Sequence, residues 1–509
     1  MRKYPGIVAT AVTLLATMSA TTIAGASEAT GRQADTRSNH AASAPAMGAN
    51  AVLQRAREAM GFSRVGDKII HLHAVSGTSE NYQSDRTYPP FFLQMQVIES
   101  WLDPKSGVER LSTQAVWPGS GPLPAQTTVD AAEITFAIRN DKPSALPRSS
   151  TQSRKLDAWA VIADWSAAAD VRAAGVQTYR DYSRVVLSRK TEDGEQRLYL
   201  DAKTGFPVKL DLQESHYLWG QRHIEYVYSN WNQVGAISIP STAFRLADGV
   251  VEISETVGDT ELVDRGSAPS LALPDSPQQA PAKLPMFLQP IAPKTVQVGP
   301  NTYLLTNPGY TEAVTLVGDT VYIFDATQGE DRARQDAELI HKLFPGEHKI
   351  NVVVTDLAWP HVAGLRYWVA SGATVLAHSA AREFLQSVID RRWTLAPDLL
   401  EQRRKTAKLK FIGIDASYSV AGGKISIHPI DGIGSEVALM AYLEADHFLW
   451  ASDYIQDVSK PTLYASEVWK AVRRVGIQPE RVAAEHLAIT PWKTIEALQV
   501  EAAGTQGGT

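Results

Sequence analysis

The spacing of apolar residues changes character about halfway along the chain. Between Lys68 and Val257 apolar and polar positions largely alternate, as in "KIIHLHAVSG", "FFLQMQVIESWLD", "YSRVVLSRK", "QRLYLDAKTGFPVKLDLQES", "RHIEYVYSNWNQV" and "GVVEISETV". Turn sequences such as "DPKSG", "EDGE" and "AKTG" punctuate them. Successive side chains of a strand point to opposite faces, so this pattern predicts an antiparallel sheet with one face in water. Ahead of it, "AVLQRAREAMG" (51–61) has helical spacing and stops at Gly61, which predicts a short amphipathic helix.

In the C-terminal half, strands and helices alternate. "AVTLVG" and "TVYIFDAT" predict a hairpin, "DRARQDAELIHKLF" a helix and "KINVVVTD" a buried strand. "HVAGLRYWVAS" has helical spacing, "ATVLAH" predicts a strand and "AAREFLQSVIDRR" a helix. There follow "KISIHPI", a second hairpin in "EVALMAYLEADHFLWASD", helix "LYASEVWKAVRRVG", strand "RVAAEH" and helix "PWKTIEALQ". Hairpins in both halves with helices between them predict an α/β domain of the αββα sandwich type, preceded by the mainly antiparallel β domain. The two are separated by "RGSAPSLALPDSPQQAPAKLPMFLQPIAPKT", which has seven prolines and little periodicity and predicts a linker. The expected organisation is a signal peptide (1–26), a flexible leader (27–49), an N-terminal β-rich domain (50–264), the linker (265–295), the sandwich (296–500) and a flexible tail (501–509).

Composition narrows the chemistry. The 509 residues are 44% hydrophobic and 20% charged, ordinary for a globular protein, and a formal charge of -6 without a basic cluster excludes nucleic acid as a partner. There is no cysteine, so a metal must be held by His, Asp or Glu. At the N-terminus, Arg2 and Lys3 precede an apolar stretch and Ala24-Gly25-Ala26 fits a cleavage site, the pattern of a secretory signal peptide. The expectation is a periplasmic or secreted protein with no stable membrane span; oligomeric state is left open.

The loop "TDLAWPH" (355–361) draws attention because an apolar strand runs into a histidine-bearing turn, a common place for a metal. From about Val296 to Leu498 the order of elements resembles the metallo-β-lactamase superfamily, through "TVYIFDAT", "VVVT", "HVAGLRYW", "GATVLAH", "LMAYLEADHFLWASD" and "VAAEHLAITPW". In that superfamily the loop reads T-H-x-H-x-D-H and holds two zinc ions. Here Asp356 stands at the first His, Ala358 at the second and Pro360 at the Asp, while His361 is kept. A further ligand His would fall near Ile433 or Gly434, where there is none. Asp453 matches the bridging aspartate, and His486 the last His, with Glu485 and Leu487 where small residues are usual. The resemblance therefore implies at most one zinc or similar divalent ion, held by His361, Asp453 and His486. Asp356 would be the fourth ligand or a catalytic general base. The N-terminal pattern loosely resembles periplasmic lipoprotein-carrier half-barrels.

Other features carry less weight. His71 and His73 in "HLH" share a strand face at metal-ligand spacing, with no partner evident along the sequence, and read as solvent-facing. Aromatic groups at 88–92, 217–219 and 226–231 would line a groove for a lipid-like or other small ligand, or pack as ordinary sheet residues. His378 and His428 read as structural. Two functions stay open: a metal-dependent hydrolase with an eroded ligand motif, and a catalytically inactive relative that binds a ligand or partner.

Overall fold

The computed structural model describes residues 48–506 except 79–85, 90, 92–93, 118–120, 132–133, 140–141, 147–154, 180–181, 192–193, 274–288, 290 and 433–435. The signal peptide, nearly all of the leader, most of the linker and the expected ligand position at 433–434 lie outside the described residues. The chain is mixed, with strands predominating: one large antiparallel sheet and two smaller sheets.

The predicted first helix is Ala49–Met60, burying Val52, Leu53, Ala56 and Met60. It ends at Gly61, whose φ of 97° and close approach to Ala236 O (2.6 Å from a would-be Cβ) leave no room for a side chain. The strand Lys68–Thr78 pairs antiparallel with Gln94–Leu102 on one side and with Val250–Asp264 on the other, inside a fourteen-stranded sheet. One face is covered by the first helix and by Ala158–Ala167, whose N-cap Asp157 accepts from Trp159 N at 2.7 Å. Trp159 and Trp165 pack there on Ile70, Leu187, Leu198, Leu210 and Tyr226. The expected alternation is therefore present, and its apolar half is a core.

The C-terminal region builds a seven-stranded and a six-stranded sheet. In the first, Tyr310–Val317 and Thr320–Phe324 form the predicted hairpin, after which Lys349–Val353 and Thr374–His378 add in parallel. A further parallel strand, Lys410–Ile414, was not anticipated from the pattern. In the second, Leu439–Leu443 and Phe448–Trp450 form the other predicted hairpin and Arg481–Ala484 pairs in parallel with the latter. The period of two sorts the strand Thr320–Phe324: Val321 and Ile323 pack with Ala333 and Ile340 of helix Glu330–Leu343. Tyr322 and Phe324 meet Ile425, Leu439 and Trp450 of the other sheet. The far face of that sheet, with Met440, Leu449 and Val482, lies against Val468 and Val472 of helix Leu463–Val475 and Ile495 of helix Trp492–Gln506.

Two local expectations are corrected. Helix Leu365–Ala370 is shorter than "HVAGLRYWVAS" implies, because His361–Gly364 form turns that bond back to 326 and 358. The last helix runs to Gln506, through most of the stretch expected to be a flexible tail.

The N-terminal sheet reaches the site region through the turn around Trp219. Arg391 donates to Trp219 O at 2.6 Å and Gln221 O at 2.7 Å. Trp219 meets Trp359 of the "TDLAWPH" loop edge-on at 5.6 Å, and Phe91 packs on both. Of the aromatic groups offered as a groove, Tyr226 and Tyr228 are core and Trp231 stacks on Phe206 at 4.4 Å, whereas Tyr88 is exposed and Phe92 lies outside the described residues.

Candidate metal centre

The site begins where strands end. Asp325, just after strand Thr320–Phe324, has a left-handed φ of 70° and no solvent exposure. Its carboxylate accepts from Thr355 N (2.6 Å), Thr355 Oγ1 (2.5 Å) and Trp450 Nε1 (2.9 Å), tying the ends of three strands together. Thr355 O in turn accepts from Leu439 N at 2.7 Å. That anchors the next residue, Asp356, between the sheets.

Asp356 is buried and fully engaged. It accepts from Ala358 N (2.7 Å), Ser452 Oγ (3.1 Å) and His361 Nδ1 (3.0 Å). Pro360 and Ala358 supply no side-chain ligand; their carbonyls accept from Gln328 N and His361 N and shape the turn that presents His361. The other ring nitrogen of His361, Nε2, lies 2.7 Å from Glu485 Oε2. This contact pairs Oε2 with the imidazole. Among the described residues Glu485 Oε1 is buried without a hydrogen-bond donor. Glu485 is held by its backbone, N–H to Ser452 O at 3.0 Å and C=O from Thr311 N at 2.9 Å.

Asp453 accepts from Gln456 Nε2 at 2.7 Å, and its Oδ1 is 3.4 Å from His486 Nε2. His486 donates through Nδ1 to Gly309 O, which leaves Nε2 toward Asp453, and keeps 29% of its side chain exposed, so it faces solvent at the edge of the cluster. Tyr310 closes one side, edge-on to His361 at 5.7 Å and His486 at 5.0 Å.

The four predicted residues are therefore brought together, in two overlapping triads that share His361. Asp356, His361 and Asp453 form one, and His361, Glu485 and His486 the other; in each, ligand atoms lie within 4.8 Å of one another. Glu485 was noticed in the sequence only as a bulky neighbour of His486, and Asp325 only as the end of a strand. Nothing local marks them, since their partners come from loops distant in sequence. His378 and His428 take structural roles, bonding Ala380 N, and Ser417 and Ser426.

Four buried carboxylates surround one or two imidazoles, and the titrations follow. Burial pushes Asp453 up to about 7, against the pull of His361. Burial also raises Glu485 well above the usual carboxylate range, and Asp325 to about 6. Burial would lower His361, but Asp356 and Glu485 outweigh it and hold the imidazole well above its usual range. Asp356 stays low, because His361 offsets the cost of its burial. His486 is lowered to about 4 by burial and by the His361 charge, so it is neutral and able to act as a ligand. An excess of buried acid over base, two imidazoles and three reachable carboxylates make a donor set suited to a hard or borderline divalent ion. The orphaned Glu485 Oε1 is the feature that fits an ion most directly.

Neither a family model nor a curated protein matches the chain. Among solved structures, a LolA superfamily protein from Nitrosomonas europaea is similar with 14% identity and a TM-score of 0.31, over 43% of this chain and 95% of its own. The DIM-1 metallo-β-lactamase is similar with 13% identity and a TM-score of 0.33, over 42% of this chain and 99% of its own. DIM-1 exposed to ceftazidime gives 14% identity and a TM-score of 0.32 over 42% and 98%. At these values the likeness is one of partial shape, and the site stands on its own residues.

Proposed function

We propose that this chain is an exported, two-domain protein whose C-terminal αββα sandwich of metallo-β-lactamase type holds one divalent cation and works as a hydrolase. The observation that carries the reading is Glu485, buried beside His361 with Oε2 on the imidazole and Oε1 lacking a hydrogen-bond donor. His361, Asp453, His486 and Glu485 would hold the ion. When bound, a divalent ion supplies Lewis-acid polarisation and activation of water. Asp453, pushed up to about 7, can hold or release a proton at its carboxylate near neutral pH. Asp356, with both oxygens taken, orients His361 rather than acting as a free base.

Elemental analysis of protein purified without chelator tests this. We expect at most one zinc or similar ion at this cluster, lost in His361→Ala, His486→Ala and Glu485→Gln, since removing one of so few ligands sharply weakens retention. Two ions lost together in these variants would overturn the single-ion reading. None would favour the second reading, a non-enzymatic relative that binds a small or lipid-like ligand. One observation speaks for that alternative: both His361 nitrogens already face carboxylates, so internal ion pairs neutralise much of the cluster without a metal.

The export and domain assignments belong to the same proposal. N-terminal sequencing of exported material should find Ser27 first, and limited proteolysis should cut within 265–295 to leave two fragments of roughly 25 kDa each. Retention of residues 1–20, or uniform resistance of the linker, would count against each in turn.

A further inference from the structure

We propose that the N-terminal sheet carries a second metal site, independent of the first, in which His71, His73 and Glu99 bind a borderline divalent transition ion such as zinc, copper(II) or nickel. Alternation places His71 and His73 on one face of strand Lys68–Thr78. The register then sets Glu99 directly opposite His73, and Trp101 and Glu261 on either side of His71. Ligand atoms of His71, His73 and Glu99 lie within 4.8 Å of one another, and the two imidazole rings are 4.7 Å apart.

The orientation of His71 is what makes this more than a polar patch. Its ring is stacked on Trp101 at 4.9 Å with a 6° tilt, and its Nδ1 sits 3.0 Å from Glu261 Oε1. A carboxylate on one ring nitrogen fixes the tautomer that leaves the other as a ligand, and here Nε2 points to Glu99, 3.1 Å away. An ion entering between Nε2 and Glu99 would have His73 as its third ligand and keep Glu261 as the supporting acceptor. Two imidazoles with a carboxylate favour borderline ions over calcium or magnesium. His71 is the side chain that faces both Glu99 and Glu261. The cluster of Asp211, His223 and Glu225 on the same sheet differs: Lys209 Nζ already lies 3.3 Å from Asp211 and 2.6 Å from Glu225, occupying the place of an ion. The reach of the sequence ended at "HLH" because both glutamates come from other strands.

Copper(II) titration of the metal-stripped full chain tests the site, read by elemental analysis after desalting and by tryptophan fluorescence. In a His361→Ala background one ion should still bind and quench part of the emission. Adding His73→Ala should weaken that binding at least tenfold, and Glu261→Gln should weaken it about tenfold, the usual effect of losing a supporting acceptor. Trp101→Phe should keep the ion and lose the quench. His73 is only partly buried, so His73→Ala in the wild-type background, where it should lower the total by one ion, keeps the test valid even where His361→Ala fails to fold. Unchanged stoichiometry and affinity on removing His73 would overturn the proposal, as would binding of no ion outside the His361 centre.

Discussion

Replacing Asp325 with Ala is expected to cost about 4 kcal/mol of stability, because three buried donors lose their acceptor at roughly 1–3 kcal/mol each and part of that loss is relaxed away. The donors are Thr355 N, Thr355 Oγ1 and Trp450 Nε1, and all three belong to segments that lead into the candidate centre. The backbone adds to the loss: φ at Asp325 is 70°, a conformation that short polar side chains tolerate and Ala does not. Asn keeps that tolerance and one acceptor oxygen, so Asp325→Asn should lose less, about 2 kcal/mol. Urea unfolding at neutral pH measures both. The Ala variant should also retain less metal, since Thr355 precedes Asp356 and Trp450 lies just before Ser452 and Asp453. A loss under about 1 kcal/mol for Ala would mean that Thr355 and Trp450 find other acceptors, and that this carboxylate does not organise the strand ends.

Periodicity made the elements legible, and non-local pairing hid much of the site. The hairpins 310–324 and 439–450 follow from apolar runs joined by short turns, and both pair as expected. Strand Lys410–Ile414 escaped notice because it lies at a sheet edge, half exposed, with too few apolar residues to stand out. His361 was legible because it follows a buried strand. Glu485 was not, because its position becomes chemical only when strand Arg481–Ala484 pairs beside Phe448–Trp450 and aims the next residue at a loop more than a hundred positions earlier. In the same way Trp219 reads as an ordinary sheet aromatic until the fold sets it against Trp359. Residue type can be read locally, whereas a partner from another strand cannot.

Raising the pH from about 6.5 to 8 is expected to weaken the metal-free protein, and a divalent ion should reduce that effect. Four groups of this cluster bind a proton more tightly in the folded chain than at their reference values of 3.8 for aspartate, 4.5 for glutamate and 6.5 for histidine. They are Asp453 (about 7, raised by burial), Asp325 (about 6, raised by burial), Glu485 (raised by burial) and His361 (raised by Asp356 and Glu485 despite burial). Such groups contribute stability that is complete below the unfolded pKa and is lost as pH rises through the folded one. Two groups act the other way. Burial and the His361 charge lower His486 to about 4, so its contribution is complete above 6.5 and lost as pH falls toward 4. Asp356, held low by His361 against the effect of burial, loses its contribution only as pH falls through its lowered pKa. Above about 6.5 both are constant, so within the cluster the proton-binding groups set the slope, while Glu255, raised to about 7 by burial outside it, adds a part that the ion leaves untouched. Each net proton released changes stability by about 1.4 kcal/mol per pH unit. A bound cation replaces those protons and, by binding only the folded chain, both stabilises it and flattens the slope. Asp453→Asn, which removes one of the titrating carboxylates, should flatten it in part. Denaturant unfolding of chelator-treated protein across this interval, with and without added zinc, measures each effect. Stability that rises with pH and ignores zinc would show that the acids of this cluster are held by internal pairing alone, and the metal-centre reading would fall.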